Sequence, residues 1–144
     1  MNRIKLTLPE TFHFSTEMVI RITDLNYGGH VGNDVFLSLM HEARQQYLLS
    51  LGYKELSFAG TGLIMADIAL EYKRELNHMD RVRIAVVAAG LDKLGFDLFY
   101  KVELLTNDGW ALAAKAKTGM ICYDYAAKKK VSIPEEAVAK LTHQ

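Results

Sequence analysis

The stretch DLNYGGHVGND, residues 24–34, gathers two aspartates, two asparagines, a histidine and three glycines between apolar segments. The residues after it read as a helix, so a glycine-rich turn feeds a helix N-terminus. The first N–H groups of a helix lack intrahelical acceptors, and the helix dipole favours negative charge beside them. A backbone left open at Gly28 and Gly29 can therefore bind an anion, or hold the oxyanion that develops as water attacks a carbonyl. No Gly-Lys-Ser/Thr follows, so this is no P-loop, and GGHVG has the wrong spacing for a dinucleotide-binding turn. The plainer alternative is a sharp turn whose polar residues cap the helix.

Titratable groups stand close by in sequence. Asp24 lies two residues before Asn26 and shares its side if the segment is extended. It could equally pair with a buried arginine such as Arg44, or cap the turn. His41 and Glu42 fall on the polar side of the helix, about two turns beyond Asn33. A neutral His41 serves as a base near pH 7 without tuning, and the alternative for both residues is a solvated surface. His13, His78 and His143 have no metal-ligand spacing, so no metal is expected.

These groups need elements to hold them. Residues 12–23 alternate as a strand, with Phe12, Phe14, Met18, Ile20 and Ile22 opposite Glu17, Arg21 and Thr23. Residues 33–51 read as one helix, with Asn33 or Gly32 as N-cap and Gly52 as the stop. At about 100° per residue its apolar side chains fill an arc of roughly 220°, against the ~100° stripe of a surface helix. Such a helix must be wrapped by a sheet. Arg44 falls inside the arc and needs a carboxylate partner if buried.

Four strand-like segments follow at 61–76, 80–90, 96–106 and 109–125. Turns are expected at Asp92–Gly95 and at Asn107–Gly109, where Asp-Gly supplies positive φ. Short turns imply antiparallel neighbours. Residues 132–141 close as a short helix, with Ser132 as cap and Pro134 in its first turn. The expectation is α+β: one domain over 1–144, a curved antiparallel sheet around one long helix.

Half of the 144 residues are apolar, and 17 basic residues balance 17 acidic ones. The apolar content excludes disorder. The missing basic excess argues against nucleic acid. A neutral chain gains little from self-repulsion, so copies of it can associate. No apolar run approaches the ~20 residues that span a membrane, and residues 1–14 show no signal-peptide pattern. The single Cys122 cannot form an internal disulfide, which suits a cytoplasmic protein.

RITDLNYGGHVGNDVFLSLMHEAR resembles the signature of the 4-hydroxybenzoyl-CoA thioesterase-like branch of the hotdog-fold thioesterases. That signature is Arg, then Asp-x-Asp-x-x-Gly-His-Val-Asn-Asn, then a helix with Glu-Ala-Arg. ALEYKRELNHMDRVRI resembles the family's second-strand pattern, and together the likeness covers residues 12–125. It implies a hotdog fold of five or six antiparallel strands around a central helix. It also implies a homodimer joined edge to edge, or a homotetramer built from it, with sites at the interface. The reaction implied is hydrolysis of an acyl thioester, acyl-CoA or acyl-ACP, with no metal and no cofactor. The Asn33 N–H would polarise the carbonyl, while His30 and Asp24 shape the loop.

Two positions depart from the pattern. Asn26 stands where many relatives place a catalytic aspartate, and Gly32 stands where they have Asn. An amide does not titrate near neutral pH, so Asn26 can orient water but cannot act as base. The candidates to replace it are Asp24, then Glu42 and His41, on the helix where other hotdog thioesterases carry a carboxylate. Glu75 joins them because EYKREL resembles a Glu-Tyr-Arg-Arg-Glu run of plant acyl-ACP thioesterases. Lys73, Arg74 and Lys128–Lys130 could meet coenzyme A phosphates, and Tyr27, Phe36, Met40 and Tyr47 could line an acyl channel. The plainer reading makes these solvated surface or core. Two other functions compete: an acyl-thioester binding module that lost its base, and a hotdog dehydratase.

Overall fold

A computed structural model describes residues 1–143. Its elements are β1 (Phe14–Val19), a 3₁₀ turn (Ile22–Asp24), α1 (Asn33–Ser50), β2 (Gly62–Tyr72), β3 (Arg81–Ala89), β4 (Gly95–Thr106), β5 (Gly109–Asp124), β6 (Lys129–Lys130) and α2 (Glu135–Thr142). The strands form one antiparallel sheet in the order β1-β3-β4-β5-β2, with the short β6 added to β5. This is the α+β hotdog arrangement expected. Among the described residues no helix is long and apolar enough to cross a membrane.

The helix sits against the inner face of the sheet. It buries Phe36, Leu39, Met40, Ala43, Tyr47 and Leu48 against Val82, Ile84 and Val86 of β3 and Leu98 and Val102 of β4. The helix backbone comes nearest to β3 and β1, and Ala114 and Ala116 of β5 are fully buried too. Lys115 and Lys117 alternate with them onto the other face, as strand geometry requires. Arg44 is buried, as its place in the arc implied, and its partner is Glu55: Nε donates to Oε1 at 2.7 Å. Its NH1 donates to the Tyr100 hydroxyl, which bonds in turn to Thr118.

The ends of α1 are made differently. At the C-terminus Gly52 adopts φ +86°, and the Gly52 and Tyr53 N–H groups return to the Leu49 and Leu48 carbonyls, a Schellman closure. Lys140 of α2 donates to the Leu51 carbonyl, and Tyr53 donates to Glu136 of α2 at 2.6 Å. At the N-terminus the cap is Gly32, with no side chain to bond the first N–H groups.

Several elements differ from the expectations. The first strand stops at Val19, because the chain turns at Ile22–Asp24 and leaves Ile22 65% exposed. β2 stops at Tyr72 rather than 76, since the Lys73 and Arg74 N–H groups both converge on the Ala113 carbonyl, at a bulge in β5. β2 pairs with β5, not β3, so residues 73–80 are a crossover rather than a hairpin. In the β4–β5 hairpin the positive φ falls on Gly109 alone, the glycine-bulge form, and Asp108 keeps ordinary geometry. Pro134, not Ser132, stands at the N-cap of α2. Leu37 belongs to the apolar arc yet is 43% exposed, beside exposed Met65 and Ile68 of the edge strand β2.

Candidate functional site

The segment before α1 is a small hairpin. Leu25 bridges Val31, the Asn26 N–H donates to the His30 carbonyl at 2.8 Å, and Gly29 turns the chain at φ +83°. Asn26 Oδ1 accepts the Gly28 N–H at 2.9 Å, which fixes the amide so that its Nδ2 side is turned elsewhere. That side lies over Gly32: a Cβ built on Gly32 would sit 3.7 Å from Asn26 Nδ2 and 2.7 Å from Asp34 Oδ1. Gly32 has an ordinary φ of −69°, so glycine is needed here for space and not for backbone conformation. The Asn26 amide and the Asp34 carboxylate thus flank the uncapped start of α1.

The crossover 73–80 closes the other side. The Val31 N–H donates to the Leu76 carbonyl at 2.9 Å, with the Leu76 side chain fully buried beneath. His30 Nδ1 lies 2.9 Å from Asn77 Oδ1 and 3.5 Å from Glu75 Oε2. Between hairpin, helix and crossover lies a cleft of about 270 Å³, lined by Val31, Asn33, Phe36, Tyr72, Lys73, Arg74 and Glu75. Phe36 is its buried floor and meets the Tyr72 ring edge-on at 5.2 Å. Burial, and then the nearby Asp34 charge, pushes the Tyr72 hydroxyl above its ordinary value.

Of the residues singled out in sequence, Asn26, His30, Asn33, Lys73, Arg74 and Glu75 come together here. Asp24 does not project beside Asn26. The 3₁₀ turn points it back, buried, to accept the Arg21 N–H at 2.8 Å and the Arg21 guanidinium at 3.2 Å. Nor does it pair with Arg44, whose carboxylate is Glu55. Tyr27 stands fully exposed at the hairpin tip and lines no wall of the cleft. His41 and Glu42 lie about 12–14 Å along α1 from Asn33 at 1.5 Å per residue. His41 Nε2 is 3.5 Å from Glu55, and Glu42 accepts from Gln46 at 2.8 Å. Lys128–Lys130 sit at the far end of β5, roughly 30 Å from Tyr72 along the strand pair. Met40 and Tyr47 are core, the latter against Phe14. Among the described residues no cluster of His, Cys, Asp or Glu is set to hold a metal.

The family model for the thioesterase-like superfamily matches residues 20–141. The chain belongs to this superfamily. A 1,4-dihydroxy-2-naphthoyl-CoA hydrolase of Microcystis aeruginosa is 29% identical over 122 residues, 83% of this chain and 86% of that one. The crystal structure of a 1,4-dihydroxy-2-naphthoyl-CoA thioesterase from Synechocystis superposes with TM-score 0.78 at 20% identity, over 90% of this chain and 96% of that one. An aspartate-to-asparagine mutant of 4-hydroxybenzoyl-CoA thioesterase, in complex with 4-hydroxybenzoyl-CoA, superposes with TM-score 0.81 at 14% identity, covering 89% and 97%. The reaction of this thioesterase-like chain is thioester hydrolysis.

Sequence reading missed Asp34. An acid in the first turn of a helix reads as a partner for the dipole. Its proximity to Asn26 emerges only once Gly32 is seen to leave the space between them.

Proposed function

We propose that this thioesterase hydrolyses an acyl-CoA with a flat, aromatic acyl group at the N-terminus of α1. The supporting observation is the uncapped helix start, flanked by the Asn26 amide and the Asp34 carboxylate over Gly32. The thioester carbonyl accepts the Asn33 N–H, and the acyl group rests on Phe36 and Tyr72. Water held by Asn26 attacks the carbonyl carbon and gives its proton to Asp34. The oxyanion is stabilised at the helix N-terminus. Collapse breaks the C–S bond, and Asp34 returns the proton to the departing thiolate. The two departures from the family pattern then explain one another: the carboxylate missing at 26 is supplied from 34, and glycine at 32 gives it room. His30 and Glu75 hold the crossover against the hairpin. The aromatic preference draws on the substrates named for the relatives and on the aromatic floor of the cleft.

A second copy completes the assembly in this proposal. β2 is an eleven-residue edge strand with Met65, Ile68 and Tyr72 each more than 40% exposed. Long apolar edges invite pairing, and a second β2 running antiparallel would cover Met65 and Ile68 together with Leu37. A cytoplasmic setting fits a chain whose one thiol, Cys122, is buried and unpaired.

The test is thiol release from a panel of short, long and aromatic acyl-CoAs. Turnover is expected, highest on aromatic members. In an Asp34→Asn background, Asn26→Asp should restore part of the lost rate. Silence across the panel, with activity appearing only in Asn26→Asp, would favour a binding module.

A further inference from the structure

The N-terminal segment before β1 crosses the outer face of the sheet and is clipped at Leu6. The Leu6 N–H donates to Glu71 Oε1 at 2.9 Å, and Lys115 Nζ donates to the Leu6 carbonyl at 3.1 Å. This strap forms one wall of a groove of about 500 Å³, whose other wall is the end of β2: Arg3, Ile4 and Lys5 face Leu70, Glu71, Tyr72 and Lys73. The groove shares Tyr72 and Lys73 with the reaction cleft, so the two adjoin at the end of β2. Its charge is lopsided. Glu71 is the one carboxylate in its lining; Lys73 Nζ at 2.6 Å and then the Leu6 N–H hold it below its ordinary value. Arg3, Lys5 and Arg74 have no carboxylate within 4.0 Å among the described residues.

We infer that Arg3 and Lys5, with Lys73 and Arg74, bind the phosphates at the nucleotide end of a coenzyme-A-type thiol. The inference rests on the thioesterase reading, which places the thiol sulfur in the adjoining cleft. A thiol leaving the Asn33 amide past Tyr72 enters this groove, and a long polyanionic tail there meets Arg3, Lys5 and Lys73, with Arg74 on the adjoining cleft. Guanidinium and ammonium groups suit phosphate oxygens, and exposed contacts of this kind give modest, salt-sensitive gains. The strap therefore belongs to the substrate site, although it lies outside the residues that match the family model.

Calorimetric titration with coenzyme A, and with pantetheine, which has the same thiol arm without phosphate, tests this directly. The variants are Arg3→Ala/Lys5→Ala and Arg3→Glu/Lys5→Glu in the full chain, with thermal midpoints as a folding control. Coenzyme A affinity should fall about tenfold in the alanine pair and further in the glutamate pair, with a weaker salt dependence. Pantetheine affinity should not change. An equal loss for both ligands would make the strap merely structural, and no loss for coenzyme A would overturn the inference, as would a wild-type chain that binds none. Thiol release by the wild type separates the two ideas. Turnover with variants indifferent to coenzyme A sinks the groove alone. Phosphate-dependent binding without turnover sinks the hydrolase reading and leaves the groove.

Discussion

The two ends of α1 are built to opposite specifications. At the C-terminus a left-handed glycine folds the last carbonyls onto the following N–H groups, and Lys140 and Tyr53 tie the end to α2. At the N-terminus a glycine with ordinary backbone angles leaves the first N–H groups uncapped between an amide and a carboxylate. One end spends its polar groups on stability, and in the proposed function the other keeps them for a ligand. Gly52 and Gly32 look alike in sequence, yet the first is chosen for φ and the second for space.

Asp34→Asn should break the comparison hardest. Loss of a general base costs about 10²–10⁴ in rate, so kcat should fall by that factor while the thermal midpoint stays put. Retained turnover would move the base to Glu75. Next in size, Glu55→Ala strands the Arg44 charge in the core. Removing one partner of a buried pair costs 3–5 kcal/mol, and since Glu55 is partly exposed about 2–3 kcal/mol is expected by denaturant unfolding.

The glycines sharpen the contrast as a pair. In Gly32→Ala the new Cβ would push the flexible Asp34 carboxylate aside, lowering kcat about tenfold with little change in melting. Gly52→Ala forces a left-handed alanine, costing about 1–2 kcal/mol and leaving kcat alone. The opposite pattern, melting in the first and inactivity in the second, would reverse the assignment of the two ends.

The smallest effect lies at Asp24. Burial alone would raise its carboxyl, but the Arg21 N–H, then its guanidinium bond and charge, outweigh this and hold it below the ordinary aspartate range. A depressed folded value means the contribution is complete above the ordinary aspartate range and drains away as the pH falls through the folded value. Acid unfolding curves should therefore be shallower for Asp24→Asn than for the wild type below that range, and parallel curves would remove the effect.

Much of the frame was legible. The breadth of the apolar arc on α1 demanded a wrapping sheet, and Arg44 within that arc demanded a carboxylate, which Glu55 supplies. The path of residues 73–80 was not legible, because a short connection between two strands reads as a hairpin. What decides otherwise is tertiary: Leu76 fills a buried site and its carbonyl is taken by Val31. The same contact assembles the cleft. That is why Asn26, His30, Asn33 and Glu75 could be gathered from motif and resemblance, while Asp34 could not. Asp24 was misplaced for a local reason, a turn of 3₁₀ form where alternation suggested a strand.

The pairing of β2 with β5 sets an order of assembly. β4 and β5 meet across a tight turn and β3 joins β4 through another short connection, so their loops close at little entropic cost. β2 must wait for a partner that begins beyond two intervening strands, Tyr72 docking on Ala114 and Gly62 on Tyr123. Contacts so distant in the chain form late. The wall shared by the cleft and the groove is the end of β2, so a binding-competent surface exists only once that strand has docked. Partly folded chains then present no pocket to a thioester, and native-state hydrogen exchange should find β2 opening before the β4–β5 hairpin.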